Sequence, residues 1–158
     1  MGLPAARVGD TTAHGSPLAP GPGCPTVLIG GMPAWRGVSP AAAAQLSAAV
    51  SSLAGEIAAK SAVATASAGT PAGPAAQAEL ARTAVQGVAN LTSMMASMGD
   101  LHTCPIVKVV IPDGAGVVTV CSTTVMIGGM GAARQGDTIT ECTSASAVAM
   151  GCPTVLIG

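Results

Sequence analysis

Two histidines and two cysteines stand where metal ligands could. His14 lies four residues past Asp10, Cys104 four past Asp100, and Cys142 five past Asp137. Each follows a Gly-Asp pair (Gly9-Asp10, Gly99-Asp100, Gly136-Asp137), so one metal-capable side chain recurs per pair at nearly the same place. His102 adds a fourth. In an extended segment His102 and Cys104, two apart, share one face. Two imidazoles and two thiolates make a closed tetrahedral zinc set. The pattern therefore predicts one structural zinc held by His14, His102, Cys104 and Cys142. The competing reading makes the cysteines small buried residues and the histidines hydrogen-bonded ones. Recurrence after each Gly-Asp favours metal. For Cys24, Cys121 and Cys152 the buried reading fits better, because each heads a copy of one apolar phrase.

No catalytic set accompanies these ligands. Both histidines are taken by the metal, no serine lies in a nucleophile elbow, and no glycine run forms a phosphate loop. A zinc hydrolase needs an open coordination position, which four side-chain ligands do not leave. The chain therefore reads as not an enzyme. Arg7, Arg36 and Arg134 recur with Asp10, Asp100 and Asp137 as repeat-motif residues. One Arg and one Asp per unit most simply pair where units join. The net charge is −1 and Trp35 is the single aromatic, so nucleic acid is excluded as a partner.

The elements that position these residues are repeats. Cys24 to Gly30 reads CPTVLIG, and Cys152 to Gly158 repeats it. Cys121 to Gly128, CSTTVMIG, is a looser copy. Thr-Val-Leu-Ile suits a short strand, and the glycine after it permits a sharp turn. The phrase Pro4-Ala-Ala-Arg7 returns as Met32-Pro-Ala-Trp-Arg36 and Met130-Gly-Ala-Ala-Arg134. In the first and third units the Gly-Asp follows the arginine with one residue between. In the middle unit it waits until Gly99-Asp100, so residues 37–97 read as an insertion. The expected architecture is mostly β: a cone of three repeats from 1–36 and 98–158, with pseudo-threefold symmetry, interrupted by a helical hairpin over 37–97. With no Phe or Tyr the core of the β part is thin, and a metal staple suits it.

Residues 1–36 carry too many prolines and glycines for a helix. Ser39 is a good N-cap and Pro40 fits the first turn of a helix running to about Ala66. Leu46, Val50, Leu53 and Ile57 form its apolar seam. Ser67 to Pro74 is a turn, and Ala75 to Met98 is a second helix with Leu80, Ala84, Gly87, Leu91, Met94 and Met98 on one face. The two make an antiparallel hairpin with a core separate from that of the β part. Its charges, Glu56, Lys60, Glu79 and Arg82, argue against a membrane span. Beyond it, Ile106–Ile111 and Val117–Val120 read as strands joined across Pro112–Gly116. The N-terminus lacks the basic and apolar regions of a secretory signal. The chain closes inside its repeat motif, from which no C-terminal toxin domain is expected.

Pro4-Ala-Ala-Arg7, Gly9-Asp10, Cys24-PTVLIGG, Met32-PAWR, Gly99-DLHTCP and Gly136-Asp137 together resemble the PAAR-repeat proteins. The resemblance covers 1–36 and 98–158 and leaves the hairpin unexplained. It implies a small cone with a zinc near its point. It also implies that the cone caps the trimeric β-helix spike of a contractile injection machine, type VI secretion or a phage-tail-like relative, with one tip per trimer expected. In many relatives a histidine in the loop after HTCP also binds zinc. Here that loop, Val110 to Gly116, has none, so Cys104 is the chosen fourth ligand and Asp113 the runner-up. Trp35 and Gly131 also depart from the PAAR phrase.

The leading expectation is thus a membrane-piercing spike tip, made in the bacterial cytoplasm and assembled and exported without a signal peptide. It touches membrane only transiently and carries an effector or chaperone through its hairpin. The alternative is a membrane-active or effector-like protein that acts through the hairpin.

Overall fold

The computed structural model describes residues 2–108 and 111–158. Ten short strands and two long helices succeed one another as β1 (Leu3–Ala5), β2 (Cys24–Ile29), β3 (Met32–Ala34), α1 (Pro40–Ala66), α2 (Gly73–Met98), β4 (His102–Lys108), β5 (Ile111–Val118), β6 (Met126–Ile127), β7 (Met130–Gly131), β8 (Thr138–Glu141), β9 (Ala145–Ala147) and β10 (Cys152–Ile157). The fold is mixed rather than mostly β, at about 35% helix and 33% strand. The inserted helices are long while the strands that build the repeats are short.

Three antiparallel strand pairs, two of them hairpins, repeat one register. In β2–β3, Ile29 faces Met32 and Cys24 faces Ala34. In β6–β7, Ile127 faces Met130. In the third, β10 pairs with β1, so that Ile157 faces Leu3 and Cys152 faces Ala5. The first and last strands of the chain therefore complete the set. The Gly30-Gly31 and Gly128-Gly129 turns have matching φ of 56° and 82°, and 58° and 81°. Both residues of a two-residue primed turn need positive φ, which glycine takes without strain.

A ring of backbone hydrogen bonds joins the three units. Ala6 N–H donates to Ala133 O at 2.9 Å, Ala133 N–H to Trp35 O at 3.1 Å, and Trp35 N–H to Ala6 O at 2.9 Å. A second ring runs from Val8 N–H to Pro33 O, Gly37 N–H to Gly131 O, and Gln135 N–H to Pro4 O, at 2.8–2.9 Å. Each is a closed cycle of three equivalent bonds, which is what pseudo-threefold symmetry requires. Ala5, Ala34, Ala132, Ile29, Ile127 and Ile157 fill one core layer with Cys24 and Cys152. A second layer packs Ala6, Trp35 and Ala133 with Leu18, Val118, Ile139 and Val148. Trp35 stands where the other units have alanine, and its large buried side chain stands in for absent aromatics elsewhere.

The third head position is not Cys121. Cys24 Sγ lies 3.3 Å from Thr26 Oγ1 and Cys152 Sγ 3.2 Å from Thr154 Oγ1. The matching contact in the middle copy is Ser122 Oγ to Thr124 Oγ1 at 3.2 Å. Counting back from the glycine turn gives Ser122, and Cys121 is one residue out of phase. In an extended chain one residue of slip turns a side chain to the other face.

The helical hairpin starts at a built cap. Ser39 Oγ accepts from Ala42 N–H at 3.2 Å at the head of α1. Leu53 packs into the gap at Gly87, where a Cβ would meet Leu53 Cδ1 far inside contact distance. Further out the hairpin closes on the small buried residues Ala64 and Ala84. No helix among the described residues is long and apolar enough to cross a membrane.

The hairpin does not have a core of its own. Leu46, Leu53, Leu91 and Met95 belong to one buried cluster with Val38, Ala115, Val117 and Cys142 of the β part. Met95, fully buried, replaces Met94 as the anchor expected from spacing. Nor is Pro112–Gly116 a turn. It lies inside β5, which pairs with β4 through a bulge between Cys104 and Val107 and with β8 on its other side. Val109 and Val110, in the expected first strand, lie outside the described residues.

Candidate metal centre

The three Arg-Asp pairs come first in each unit and anchor the segments that lead to the centre. Arg7 N–H, Arg36 N–H and Arg134 N–H donate to Oδ2 of Asp10, Asp100 and Asp137 at 2.8, 3.0 and 2.8 Å. The guanidinium closes a fork on each carboxylate, with Nη2 to Oδ1 at 2.8, 2.8 and 3.0 Å. The geometry is the same although Asp10 and Asp137 follow their arginines by three residues and Asp100 by 64. These residues are structural clasps, with the aspartates buried and each arginine partly open to solvent.

From each clasp the chain runs four residues to the centre. Those positions are His14, Cys104 and Glu141. His14 sits in a tight turn held by Thr12 N–H to Ser16 O at 2.8 Å and Gly15 N–H to Thr12 O at 2.9 Å. Ala13 N–H donates to Ala147 O at 2.8 Å and docks that turn on β9. Cys104 lies on β4, fixed to the first unit by Thr103 N–H to Ala19 O at 2.9 Å. Glu141 ends β8, on the same buried face as Ile139.

His14, Cys104, Asp113 and Glu141 bring one ligand atom each within 4.8 Å of one another. His14 Nδ1 is 3.1 Å from Glu141 Oε2, 3.6 Å from Cys104 Sγ and 3.9 Å from Asp113 Oδ2. His102 adjoins them, with Nε2 3.4 Å from Glu141 Oε1. The neighbours that hold the carboxylates are Ser144, donating to Glu141 Oε2 at 2.7 Å, and Thr143, donating to Asp113 Oδ1 at 2.6 Å.

The strands explain how His102 and Glu141 meet. β5 lies between β4 and β8, and Gly116 faces both His102 and Glu141 in register. A Cβ at Gly116 would sit 2.5 Å from His102 Nε2 and 2.8 Å from Glu141 Cγ. The glycine leaves the opening through which the two side chains reach each other across the central strand.

This donor set fits a cation. His102 is fully buried, yet neither ring nitrogen has a hydrogen bond of good geometry, and the same holds for Glu141 Oε1. Buried polar atoms in native proteins are nearly always satisfied. Two buried carboxylates, a buried thiol and two imidazoles share the space. Burial pushes the Cys104 thiol up, and Glu141 and Asp113 push it further. A bound cation would reverse that and leave the thiolate. Burial also pushes the Glu141 carboxyl up, but the adjacent His102 imidazole, the hydrogen bond from Ser144 and the nearby imidazole of His14 bring it below its ordinary range. It is held ready as a carboxylate.

Cys142 stands apart from this group. Its Sγ lies 3.5 Å from Ala115 O, 3.8 Å from Val88 O and 3.7 Å from Thr92 Oγ1, at the contact with α2. Counted from Asp137 it is the fifth residue, and Glu141 is the fourth. On a strand, odd and even positions face opposite sides. The signal that finds Glu141 is thus its phase with His14 and Cys104 and with Ile139, not its residue type.

Residues 110–158 match the family model of the PAAR motif. No curated protein and no solved structure matches the chain significantly. The matched stretch contains β5 to β10, the third Arg-Asp clasp and two members of the ligand group. The same clasp recurs in the two other units, and together with the match it supports a PAAR-repeat protein.

Proposed function

We propose that this protein is the tip of the spike of a contractile injection apparatus and that it caps a trimeric β-helix partner, one chain per trimer. One observation carries the reading. Three equivalent strand pairs present an apolar ring: Leu28, Met126 and Leu156 are 60, 57 and 60% exposed, and Val27, Val125 and Val155 are 36–37% exposed. Contiguous exposed apolar surface marks an interaction site. A pseudo-threefold ring built by a single chain is complementary to a threefold partner and would be of no use against an asymmetric one. In each unit the chain runs from this ring, through the Arg-Asp clasp, to the ligand group. A cone with docking surface at its base and metal near its point accords with that order.

The metal in this reading is one structural zinc. His14, Cys104, Asp113 and Glu141 supply its ligand group, and His102 stands beside it as a further candidate. Zinc in such a site contributes folding free energy rather than reactivity. The protein is then not an enzyme, and its work is mechanical. It is made in the cytoplasm and leaves on the machine, with membrane contact only while piercing. The hairpin, asymmetric where the base is threefold, is the element suited to an effector or chaperone.

Co-purification with a trimeric spike protein, with stoichiometry by mass measurement, tests this. One chain per trimer is expected, lost on replacing Leu28, Met126 and Leu156 together with Glu. Binding at another stoichiometry, or unaffected by that triple change in a folded protein, would sink the proposal.

A further inference from the structure

We propose that the helical hairpin and the metal centre are energetically coupled, so that metal binding seats the hairpin and the seated hairpin tightens the metal. This rests on the metal reading above and adds a regulation to it.

Cys142 makes the first link between the two. Its N–H is shared between Asp113 O and Ala115 O, both at 3.1 Å, which ties the residue after β8 to the stretch of β5 that faces the β4 bulge. Its neighbour Glu141 and its hydrogen-bonded partner Asp113 both belong to the ligand group. Its thiol meets α2 at Val88 O and Thr92 Oγ1. One residue thus touches the backbone of the ligand segment on one side and the helix on the other.

Gly114 makes the second link. It faces Cys104 across β4–β5 and has φ +74°, a conformation favoured by glycine. A Cβ there would stand 3.0 Å from Val88 Cγ1 and 3.3 Å from Cys142 Sγ. So α2 lies against the backbone between Asp113 and Ala115 with no space to spare. Ala115, Val117 and Cys142 then bury against Leu91 and Met95 of the same helix.

Both partners therefore act on one short piece of chain, 113–115 with 141–142. The metal fixes it from the side chains of Asp113 and Glu141. The hairpin fixes it from the opposite side. When each ligand favours the same conformation of a shared element, coupling is positive and reciprocal. Close packing makes such a segment respond to either partner. No long pathway is needed, because the helix and the ligand residues are separated by a single residue of backbone.

The test uses the intact chain and zinc itself. Zinc content is measured first, then affinity by competition with a chromophoric chelator. Hydrogen exchange of α2 amides is compared with and without zinc. The coupling predicts slower exchange in residues 84–98 with zinc, and affinity about tenfold weaker, within the usual range of site–site coupling, in the double variant Val88→Arg, Thr92→Arg. Val85→Ala, on the exposed face of α2, should leave affinity unchanged. Zinc bound with α2 exchange and variant affinity both unaltered would overturn the coupling alone. Uniform acceleration over the whole chain on stripping zinc, β2–β3 included, would also overturn it, since that is global unfolding. A wild-type chain that takes up no zinc would overturn the coupling and the metal reading together.

Discussion

Replacing Asp100 with Ala removes the clasp that closes the insertion. Asp100 is almost wholly buried and accepts three hydrogen bonds from one residue: Arg36 N–H at 3.0 Å, Nε–H at 2.8 Å and Nη2–H at 2.8 Å. The change leaves a guanidinium and a backbone N–H facing an apolar methyl. Arg36 Nη2 keeps only its bond to Gly23 O at 3.1 Å. Breaking a fully buried pair costs about 3–5 kcal/mol. The Arg36 side chain is 18% exposed, so water recovers part of that, and about 2–4 kcal/mol is expected here. For a chain of this size that is a fall in Tm of roughly 5–15 °C. Trp35, buried beside the clasp and the single tryptophan, reports unfolding by fluorescence.

The same substitution at Asp10 and Asp137 provides the control. Their forks match that of Asp100 within 0.4 Å bond for bond, so all three variants should lose comparable stability. A double cycle with Arg36→Met should show positive coupling, since the two side chains are in direct contact. If Asp100→Ala costs under about 0.5 kcal/mol, the size of an ordinary surface change, while Asp10→Ala costs several-fold more, the middle unit is not built like its neighbours. The equivalence of the three clasps is then refuted.

Two further outcomes follow from packing and burial. Gly87→Ala gains helix propensity of about 1 kcal/mol but drives a methyl into Leu53; it should lower Tm by a few degrees, and Leu53→Ala in the same chain should relieve the clash. Burial pushes the Cys142 thiol up, against a smaller opposite pull from Thr92, so iodoacetamide at pH 8 should leave Cys142 unmodified in the folded protein and label it in urea; rapid native-state labelling, read by peptide mass, would show that α2 does not cover it.

The repeats made much of this fold readable. The heptapeptide copies, the glycine turns and the delayed Gly99-Asp100 each have a local cause, so the insertion point and the helix cap at Ser39 were open to inspection. What escaped was phase. Cys121 and Cys142 attract notice as cysteines, yet each is one residue off the position that its unit demands, where Ser122 and Glu141 stand instead. A strand turns on a two-residue period, so a slip of one reverses a side chain. The extended course of β5 hid for a similar reason. Pro112-Asp-Gly has the composition of a turn, and only pairing to β4 and β8 on both sides keeps it extended. Asp113 is carried into the ligand group by that tertiary constraint.

The hairpin's place follows from the clasp. In the first and third units the arginine and aspartate are joined by two residues, Val8-Gly9 and Gln135-Gly136. A charged fork holds both ends of this connection. Lengthening a loop whose ends are already fixed is inexpensive, about 0.6 kcal/mol per doubling. The middle unit therefore accepts a long insert without disturbing the backbone rings that join the three units. Once there, the insert covers Ala115, Val117 and Cys142, surface that the β part would otherwise expose. A threefold object has no preferred side. By filling one junction of three and packing down onto β5, the hairpin gives this one a side and joins it to the strand that carries Asp113.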